Sequence, residues 1–551
     1  MAQAGELFQA KEEILKTKNN LKIAQYALKP LYWLRVIPKI SNEVKIASQV
    51  LEVSPKVLAL LDEAFNLAQS VLGLQKDNPL NTLSVDKGKI IINLALNQEE
   101  IESIEKKAQE IQKEFLRIDF SKSPRIIKEK GILLGEKIND IMRGLQELRF
   151  ASETLPAFIG YPEERTYLFL FQNNTELRPS GGFLGTYGII KLKNGEIVEF
   201  FTDDTYNLDK PYEYDDSFQM TPPEPLQVYN ADEKWTFRDS NWSPDFVESS
   251  KKMLEFYKLE KGKDASNLDG VIAITPTVIE GLLKLTGPIK VDGYPYEFTA
   301  ENFTDQLEMH VEKNYANLGE EKEERKSIIG KMGEVLIDKL FKLQAQDIFQ
   351  AIEIAEKNLT EKHILLYSFD NTEEKRILER NWGGAVNSIA KNNSADFLMV
   401  VDANLGSLKS DYKVKRKIEY SLDDNKANLK INYDHQGKFD WKTTRYRTWT
   451  RVYAPKGSEL IAIKGNESNL KIYQDLDKTV FAFFKSIEPQ TQESVEIQYK
   501  LPENIDLKNY SLYIQKQAGA INNQLKIKIN NEKKIEWEGS FEKDQEFNLK
   551  D

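Results

Sequence analysis

A turn that contains one arginine and two glycines is the first place where this chain could hold an anion. In Arg178-Pro179-Ser180-Gly181-Gly182 the backbone N–H groups can point at a ligand, and the guanidinium of Arg178 can donate two hydrogen bonds to it. The same residues also suit a tight turn in which the glycines only supply positive φ, and this second interpretation is favoured. The ligand-binding candidates here are Arg178, Ser180, Gly181 and Gly182.

An acidic segment, residues 203–216, is the candidate metal site. Carboxylate oxygens are the ligands that Mg²⁺ and Ca²⁺ prefer, which makes Asp203, Asp204 and Asp209 the candidate ligands and Mg²⁺ a candidate cofactor. The spacing of an EF-hand is absent, so a solvated acidic loop is favoured over a metal site.

Two further segments combine cations with aromatic rings. Arg238-Asp239-Ser240-Asn241-Trp242 precedes a helix that Ser243-Pro244 can begin, a mixture suited equally to sugar or phosphate contact and to internal pairing beside a helix cap. Along a later strand, alternation places Arg445, Arg447, Trp449, Arg451 and Tyr453 on one side. That side could hold an anionic glycan, but a paired outer sheet face is favoured.

The composition limits which chemistry is open to the chain. Its 551 residues carry a formal charge of -11 and include no cysteine, which excludes disulfides, thiolate metal sites and cysteine nucleophiles. Only three histidines are present, far apart in sequence, so a histidine-rich zinc site or a Ser-His-Asp triad is not expected. No long basic block occurs, and we therefore expect no nucleic-acid partner.

The first third of the chain, residues 1–155, has the pattern of a helical bundle or stalk. Leu7, Ile14, Leu21 and Leu28 recur at heptad spacing, which predicts a helix packed along one side against a neighbour. Breakers near Pro38 and between Asn78 and Gly88 should interrupt the helices.

Residues 156–408 have the pattern of a mixed sheet covered by helices. The apolar run 167–171 predicts a buried strand, and Asn194-Gly195 predicts a hairpin because both residues tolerate positive φ. Pro276 is placed to begin a helix and Gly287 to end it. The runs 363–367 and 397–401 are further strand candidates, and we assign both to this sheet.

From about Tyr412 onward the apolar residues recur at every second position, and helix signals nearly vanish. Residues 409–551 are therefore predicted to form an antiparallel β-sandwich. Together the three regions predict an α+β multidomain protein: a helical stalk, a central α/β domain and a C-terminal β-sandwich.

Five segments resemble the DUF4012 family of bacterial surface proteins. They are "RTYLFLFQNNTELRPSGGFLGTYGIIKLKNGEI" from Arg165, "RDSNWSPDF" from Arg238, "LDGVIAITPTVIEGLLKLTGPIKV" from Leu268, "VDANLGSLKSDYKVKR" from Val401 and "RVYAPKGSEL" from Arg451. The resemblance implies an extracytoplasmic protein at the cell surface. Its members usually carry a membrane helix just before the helical stalk, so we expect an anchor upstream of the residues given.

More remotely, residues 165–345 resemble the core of the LytR-CpsA-Psr family, which transfers glycopolymers from polyprenyl-pyrophosphate carriers to the cell wall. The resemblance gives Arg178 the place of an arginine that opens a turn, Asp204 the place of an Asp-Thr-Tyr aspartate, and Arg325 the place of a late helix arginine. It departs at two points. Ser180 to Gly182 stand where a magnesium-binding aspartate is expected, and Asp203 stands where an arginine grips phosphate.

Two functions from different classes follow. In the first, the central domain binds, and could transfer, a phosphate-bearing glycopolymer or a polyprenyl-pyrophosphate-linked glycan, with Arg178, Asp204, Arg238, Asp239 and Arg325 as the candidate catalytic residues. In the second, the protein is a non-enzymatic surface scaffold or adhesion module with a degenerate LytR-CpsA-Psr-like core. If the arginines meet around one hollow, the first is favoured; if each is neutralised by a carboxylate, the second is. The sequence leaves the oligomeric state open.

Overall fold

A computed structural model describes residues 2–30, 41–73, 87–121, 123, 125–343, 345–386, 394–468, 470–530 and 534–548. The chain divides into two compact units. The first comprises residues 1–165, 191–198 and 341–349, and the second comprises residues 166–190, 199–340 and 350–551. Crossing a bilayer takes about 20 mostly apolar residues in one helix, and none of the described helices meets that requirement.

Helices dominate the first 160 residues, as the apolar spacing predicted. They are α1 (Ala2–Leu28), α2 (Ser41–Leu72), α3 (Lys87–Leu96), α4 (Gln98–Phe115) and α5 (Arg125–Phe158). Their apolar stripes form one core that includes Ile46, Leu67, Ile101, Ile104 and Leu145. In α1 the heptad positions Ile14, Leu21 and Leu28 are half-buried, whereas Leu15 and Ile23 are exposed. The side chain of Leu7, Pro38 and most of the predicted break after Asn78 lie outside the described residues.

The central sheet is mixed, in agreement with the prediction. Its strands are β1 (Arg165–Asn173), β2 (Phe183–Lys193), β3 (Glu196–Asp204), β4 (Gly270–Ile274) and β7 (Ile364–Ser368). They lie in the order β3-β2-β1-β4-β7, with β1 parallel to β4 and β4 antiparallel to β7. The predicted hairpin between β2 and β3 is confirmed, and both of its turn residues have positive φ, 52° for Asn194 and 82° for Gly195.

Helices and one small hairpin accompany this sheet. They are α6 (Thr205–Glu213), α7 (Phe246–Leu259), α8 (Pro276–Thr286), β5 (Ile289–Lys290), β6 (Glu297–Phe298), α9 (Phe303–Met309), α10 (Ser327–Phe341), α11 (Ala345–Thr360) and α12 (Asn371–Glu379). The prediction for α8 is confirmed, because Pro276 is its first residue and Gly287, at φ 75°, follows its last. Helix α7 begins at Phe246, capped by the carboxylate of Asp245, which is later than the predicted start at Ser243-Pro244.

Two six-stranded sheets follow. Their strands are β8 (Asp396–Asn404), β9 (Val414–Asp423), β10 (Lys426–His435), β11 (Tyr446–Pro455), β12 (Glu459–Lys464), β13 (Lys471–Asp475), β14 (Lys478–Ile487), β15 (Gln492–Lys500), β16 (Ser511–Gln515), β17 (Asn523–Asn530), β18 (Lys534–Ser540) and β19 (Gln545–Asn548). Sheet I has the order β13-β14-β11-β8-β16-β19, and sheet II has the order β12-β15-β10-β9-β17-β18. One apolar core contains residues of both sheets, such as Phe481 of β14 and Ile431 of β10.

The strand at 397–401 corrects the sequence-based assignment. It belongs to β8, which pairs with β11 and β16 of sheet I rather than with the central sheet. A short apolar strand buried on both faces fits either sheet by pattern alone, because periodicity does not reveal which partner a strand takes.

Buried hydrogen bonds join the turn after β1 to the C-terminal sheets. Asn174 donates to the carbonyl of Gly519 at 2.9 Å, and the Asp411 carboxylate accepts from the backbone N–H of Leu177 at 3.0 Å. The amide of Gln517 donates to the carbonyl of Arg178 at 3.2 Å. The central and C-terminal segments therefore lie in the same compact unit.

Candidate functional site

A cleft of about 430 Å³ lies beside the ends of β1 and β3, with α6, α9 and the start of α10 as its other walls. Its charged lining side chains are Lys210, Lys322, Arg325, Lys326 and Lys409 together with Glu176, Asp204, Glu213, Glu308, Glu312 and Glu323. With five cations and six carboxylates, the cleft has no large net charge. What it can bind depends on which of these groups already have a close partner.

Asp204 is the best-connected carboxylate of the cleft. It accepts from the backbone N–H of Tyr206 at 3.1 Å and thereby caps α6. Its other contacts are with Lys326, whose Nζ lies 2.8 Å away, and with Arg325, whose Nε lies 3.5 Å away. Because Asp204 is buried and has these donors, it holds the two cations in position instead of presenting a free carboxylate.

Lys326 is buried with Asp204 and was not identified from the sequence. Its ammonium also donates a short hydrogen bond to the carbonyl of Gly185. Burial lowers the pKa of Lys326, while the Asp204 carboxylate acts in the opposite direction. The only sequence signal was its position next to Arg325 before α10.

Arg325 is the arginine that the cleft presents most openly. Its ion pairs are long, 3.5 Å to Asp204 and 3.7 Å to Glu312, and its side chain is 13% exposed. The guanidinium lies 5.8 Å from the ring centroid of Tyr206, a ring that is 43% exposed. Cation and aromatic face are thus available together at one place in the cleft.

Glu308 is a second cleft residue that the sequence did not reveal. It is buried, and it accepts a hydrogen bond from the side-chain amide of Asn173 at 2.6 Å. Burial raises its pKa, and Lys409 and Lys442 partly oppose that rise. A carboxyl group of this kind holds its proton more readily than an exposed one and can donate a hydrogen bond to a ligand.

Arg178 lies outside the cleft lining, in the protein interior. It is 3% exposed and donates to the carbonyl of Asn404 and, at 3.2 Å, to Glu176. Its Nε lies 3.5 Å from Asp239. Glu176 in turn receives Lys409 at 2.9 Å. The guanidinium is therefore neutralised by buried carboxylates and joins the turn after β1 to the end of β8.

The Gly-Gly turn next to Arg178 is also filled by protein. A Cβ at Gly181, whose φ is 142°, would meet the side-chain oxygen of Gln172 at 1.9 Å. A Cβ at Gly182 would meet the backbone of Asn173 at 2.5 Å. Ser180 is fully buried, and its hydroxyl is 3.5 Å from the carbonyl of Asn241. The tight-turn interpretation fits this geometry, and space for an anion is lacking.

The segment 238–242 is held by internal pairs. Arg238 contacts Asp209 at 3.3 Å and makes a shorter ion pair with Glu213. Asp239 and Asn241 are buried, and the amide of Asn241 donates to the carbonyl of Gly182 at 2.8 Å. The sequence left two interpretations open, sugar or phosphate contact and internal pairing beside a helix cap. The contacts seen here are internal pairs.

Trp242 belongs to the covering of sheet I. The guanidinium of Arg451 lies 5.1 Å from its ring centroid and donates to its carbonyl at 2.8 Å. Nearby, Tyr229 stacks on Phe484 at 3.9 Å between ring centroids. The cationic and aromatic side of β11 is therefore covered by residues 226–242, which agrees with the favoured interpretation of that strand.

The three candidate metal ligands do not converge. Asp203 accepts from Asn207 at 2.7 Å, Asp204 from Lys326, and Asp209 from the hydroxyl of Thr236 at 2.9 Å. Among the described residues, no three histidine or carboxylate side chains are grouped so that they could hold a metal ion.

A buried carboxylate pair lies behind Arg238. Burial and the neighbouring Asp209 carboxylate raise the pKa of Glu260, and burial raises that of Asp209. Glu260 accepts from the backbone N–H of Phe237 at 2.9 Å. The pair fixes the short turn that holds Arg238 and lies apart from the cleft lining.

Comparison with known proteins finds one family model that matches part of the chain. Residues 162–311 match the family model described as "Protein of unknown function (DUF4012)". This range runs from just before β1 to just after α9, so it includes Asp204 and Glu308 but ends before Arg325 and Lys326. Neither the curated proteins nor the solved structures contain a match.

Proposed function

We propose that this chain is an extracytoplasmic cell-envelope protein whose cleft binds a phosphate-bearing glycan, free or on a polyprenyl carrier, without transferring it. The observation that carries the proposal is the contrast between the arginines: Arg325 lines the cleft with two long ion pairs, whereas Arg178 and Arg238 are held by close carboxylates. A phosphate can displace these ion pairs at a small cost, because at 3.5 and 3.7 Å they are at or beyond normal hydrogen-bond distance.

The cleft supplies the contacts that such a glycan needs. Arg325 and Lys322 are cations on the cleft wall, and Lys322 has no carboxylate within ion-pair distance among the described residues. The exposed rings of Tyr206 and Tyr214 offer flat apolar surface beside them. Glu308 and Glu312 can bond hydroxyl groups.

Transfer is left out of the proposal because its chemistry requires groups that the cleft lacks. Transfer from a pyrophosphate calls for several guanidinium groups and a carboxylate-bound Mg²⁺ around the reacting phosphates. In the cleft, Asp204 is occupied by Lys326 and Arg325, and Arg178 lies outside the lining. The proposed architecture is a LytR-CpsA-Psr-like core next to a β-sandwich, retained for binding or for scaffolding at the cell surface.

The test is a titration of the purified chain with a polyprenyl-pyrophosphate-linked glycan in the presence of Mg²⁺. We expect saturable binding with no release of the carrier as polyprenyl phosphate or polyprenyl pyrophosphate when an acceptor glycan is added. Arg325→Ala should weaken binding about tenfold or more, because a hydrogen bond to a charged group is lost. The matched control is Arg445→Ala, which removes an exposed arginine paired with Glu488 on a different part of the chain.

Three outcomes contradict the proposal. Release of polyprenyl phosphate or polyprenyl pyrophosphate by the unchanged protein contradicts the absence of transfer, and equal affinity of the Arg325→Ala and Arg445→Ala variants contradicts the site. Absence of any binding contradicts the whole function. The location is tested separately, since protease added to intact cells should cleave the chain if it lies outside the cytoplasm.

A further inference from the structure

The two six-stranded sheets differ in what covers their outer faces. Sheet I has Tyr229 and Trp242 packed on it. Sheet II carries polar side chains on its outer face, and two hollows of about 370 and 340 Å³ lie there. We infer that this outer face of sheet II, called the trough below, binds an extended anionic polysaccharide. The trough is defined by Lys415, Lys417, Ser421, Asn428, Lys430, Asn432, Lys464, Gln498, Gln524 and Lys528.

A row of alternating charges crosses the trough from edge to edge. Strand register places side by side Lys464, Glu496, Lys430, Glu419, Lys526 and Glu538, one from each strand of sheet II. Opposite charges in neighbouring strands stabilise one another, and Lys430 lies 2.9 Å from Glu496. This row therefore stabilises the face, and the ligand contacts come from the rows beside it and from Lys464 at the edge of the row.

The row on one side consists of amides and a hydroxyl, Gln498, Asn428 and Ser421, followed by Lys528 and, on the edge strand β18, Glu536. Gln498 donates to the Asn428 carbonyl at 2.7 Å, which fixes both side chains. The remaining NH₂ of Asn428 and carbonyl of Gln498 have no partner among the described residues. An amide donor beside an amide acceptor matches the hydroxyl groups of a sugar, which both donate and accept.

The charge of the trough selects an acidic chain. The larger hollow is lined by four lysines and two glutamates, whereas the chain as a whole carries -11. The smaller hollow is close to balanced, with Lys415 and Lys417 facing Asp434 and Glu493, so the positive excess lies in the larger one. Lys464 and Lys528 have no carboxylate within ion-pair distance in the described part of the chain. Complementary charge attracts an anionic partner and fixes its position. The larger hollow carries an excess of positive charge, although the protein as a whole is acidic.

The length of the trough suits a polymer. On the other side of the charged row lie Asn432, Lys417 and Gln524, followed by Lys415 in the second hollow. From Ser421 to Lys415 in β9 is six residues, or about 20 Å of strand. Only inward-facing tyrosines, Tyr420 and Tyr433, contribute aromatic atoms to the two hollows, and both are buried. Bases of a single-stranded nucleic acid would lack rings to stack on.

The test compares binding of four probes to the full chain: polygalacturonate, dextran sulfate, neutral dextran and single-stranded poly(dT). We expect binding of at least one acidic polysaccharide at low salt and none of dextran, and the two acidic probes distinguish carboxylate from sulfate recognition. Lys464→Glu with Lys528→Glu should weaken binding about tenfold. The matched control is Lys251→Glu with Lys375→Glu, which changes the net charge equally on helices α7 and α12.

A second variant separates the trough from general charge effects. Asn428→Ala leaves the net charge unchanged, and we expect weaker binding with the same salt dependence, because only a hydrogen-bonding contact is removed. Three results would each overturn the inference. The first is an equal loss of polysaccharide affinity in the two charge-reversed variants, and the second is an unchanged affinity of Asn428→Ala. The third is tighter binding of poly(dT) than of both acidic polysaccharides. Arg325→Ala should leave this binding unchanged, so failure here and failure of the cleft are distinguishable.

Discussion

Two regions of the same compact unit use arginine in opposite ways. In the interior junction, defined by Arg178, Asp239 and Asp411, every charged group has a buried partner, and Glu176, which pairs with Arg178, connects the junction to the cleft wall. At the cleft, Arg325 has only long pairs and partial exposure. The difference teaches that an arginine within a recognisable motif can stabilise the fold through buried ion pairs. A binding role requires a cation whose ion pairs within the protein are weak.

The largest expected effect is on the interior junction. Arg178→Ala should lower the free energy of unfolding by about 3–5 kcal/mol, because it removes one buried guanidinium from two buried carboxylates, leaving Glu176 only Lys409 and Asp239 only Arg238. Arg325→Ala, at the more open site, should change it by less than about 1 kcal/mol. Denaturant unfolding measures both. If Arg178→Ala unfolds like the unchanged protein but loses glycan binding, the comparison between the two regions fails.

An intermediate effect is expected at the turn beside Arg178. Gly181→Ala should cost about 2 kcal/mol of stability or more, because the new Cβ must displace Gln172 and the backbone holds a φ of 142°. Gly144→Ala is the control, since that helical position has open space and alanine favours helices. The melting temperatures of both variants, measured by calorimetry, check the prediction. If Gly181→Ala melts at the same temperature as the unchanged protein, the turn again becomes a candidate anion site.

A pH-dependent effect sharpens the comparison. Burial raises the pKa of Asp411 to about 7. Because the folded protein then holds this proton more tightly than the unfolded chain, whose carboxyl has its ordinary pKa, the group's contribution to stability falls as pH rises from about 4 to about 7. Asp411→Asn cannot ionise, so the variant should gain stability relative to the unchanged protein across that window. A constant difference between the two from pH 4 to 7 would contradict a raised pKa.

Local patterns in the sequence predicted the elements well. The heptad of α1, the buried strand β1, the Asn194-Gly195 turn and the Pro276 start of α8 are determined by neighbours within a few residues, and all four are present. The partner of β8 was not predictable in this way, because its neighbour β16 follows more than 100 residues later.

The same limit applied to the cleft. Asp204 and Arg325 were named from the sequence and do lie together, but Lys326 and Glu308 were missed. Their significance depends on burial and on partners distant in sequence, such as Asp204 for Lys326, 122 positions away. Arg178 was named as a candidate binding residue without knowledge of its partners for the same reason, since Asn404 and Asp239 reach it only in the folded protein.

The hydrogen bond from the side chain of Asn174 to the carbonyl of Gly519 has a consequence for biosynthesis. The two residues are 345 positions apart. At ribosomal speeds of 5–20 residues per second, the acceptor emerges roughly 20 to 70 s after the donor. During that interval the turn after β1 has left the ribosome while its polar groups lack their final partners. The turn after β1 therefore reaches its final hydrogen-bonded structure only after Gly519 has been synthesised.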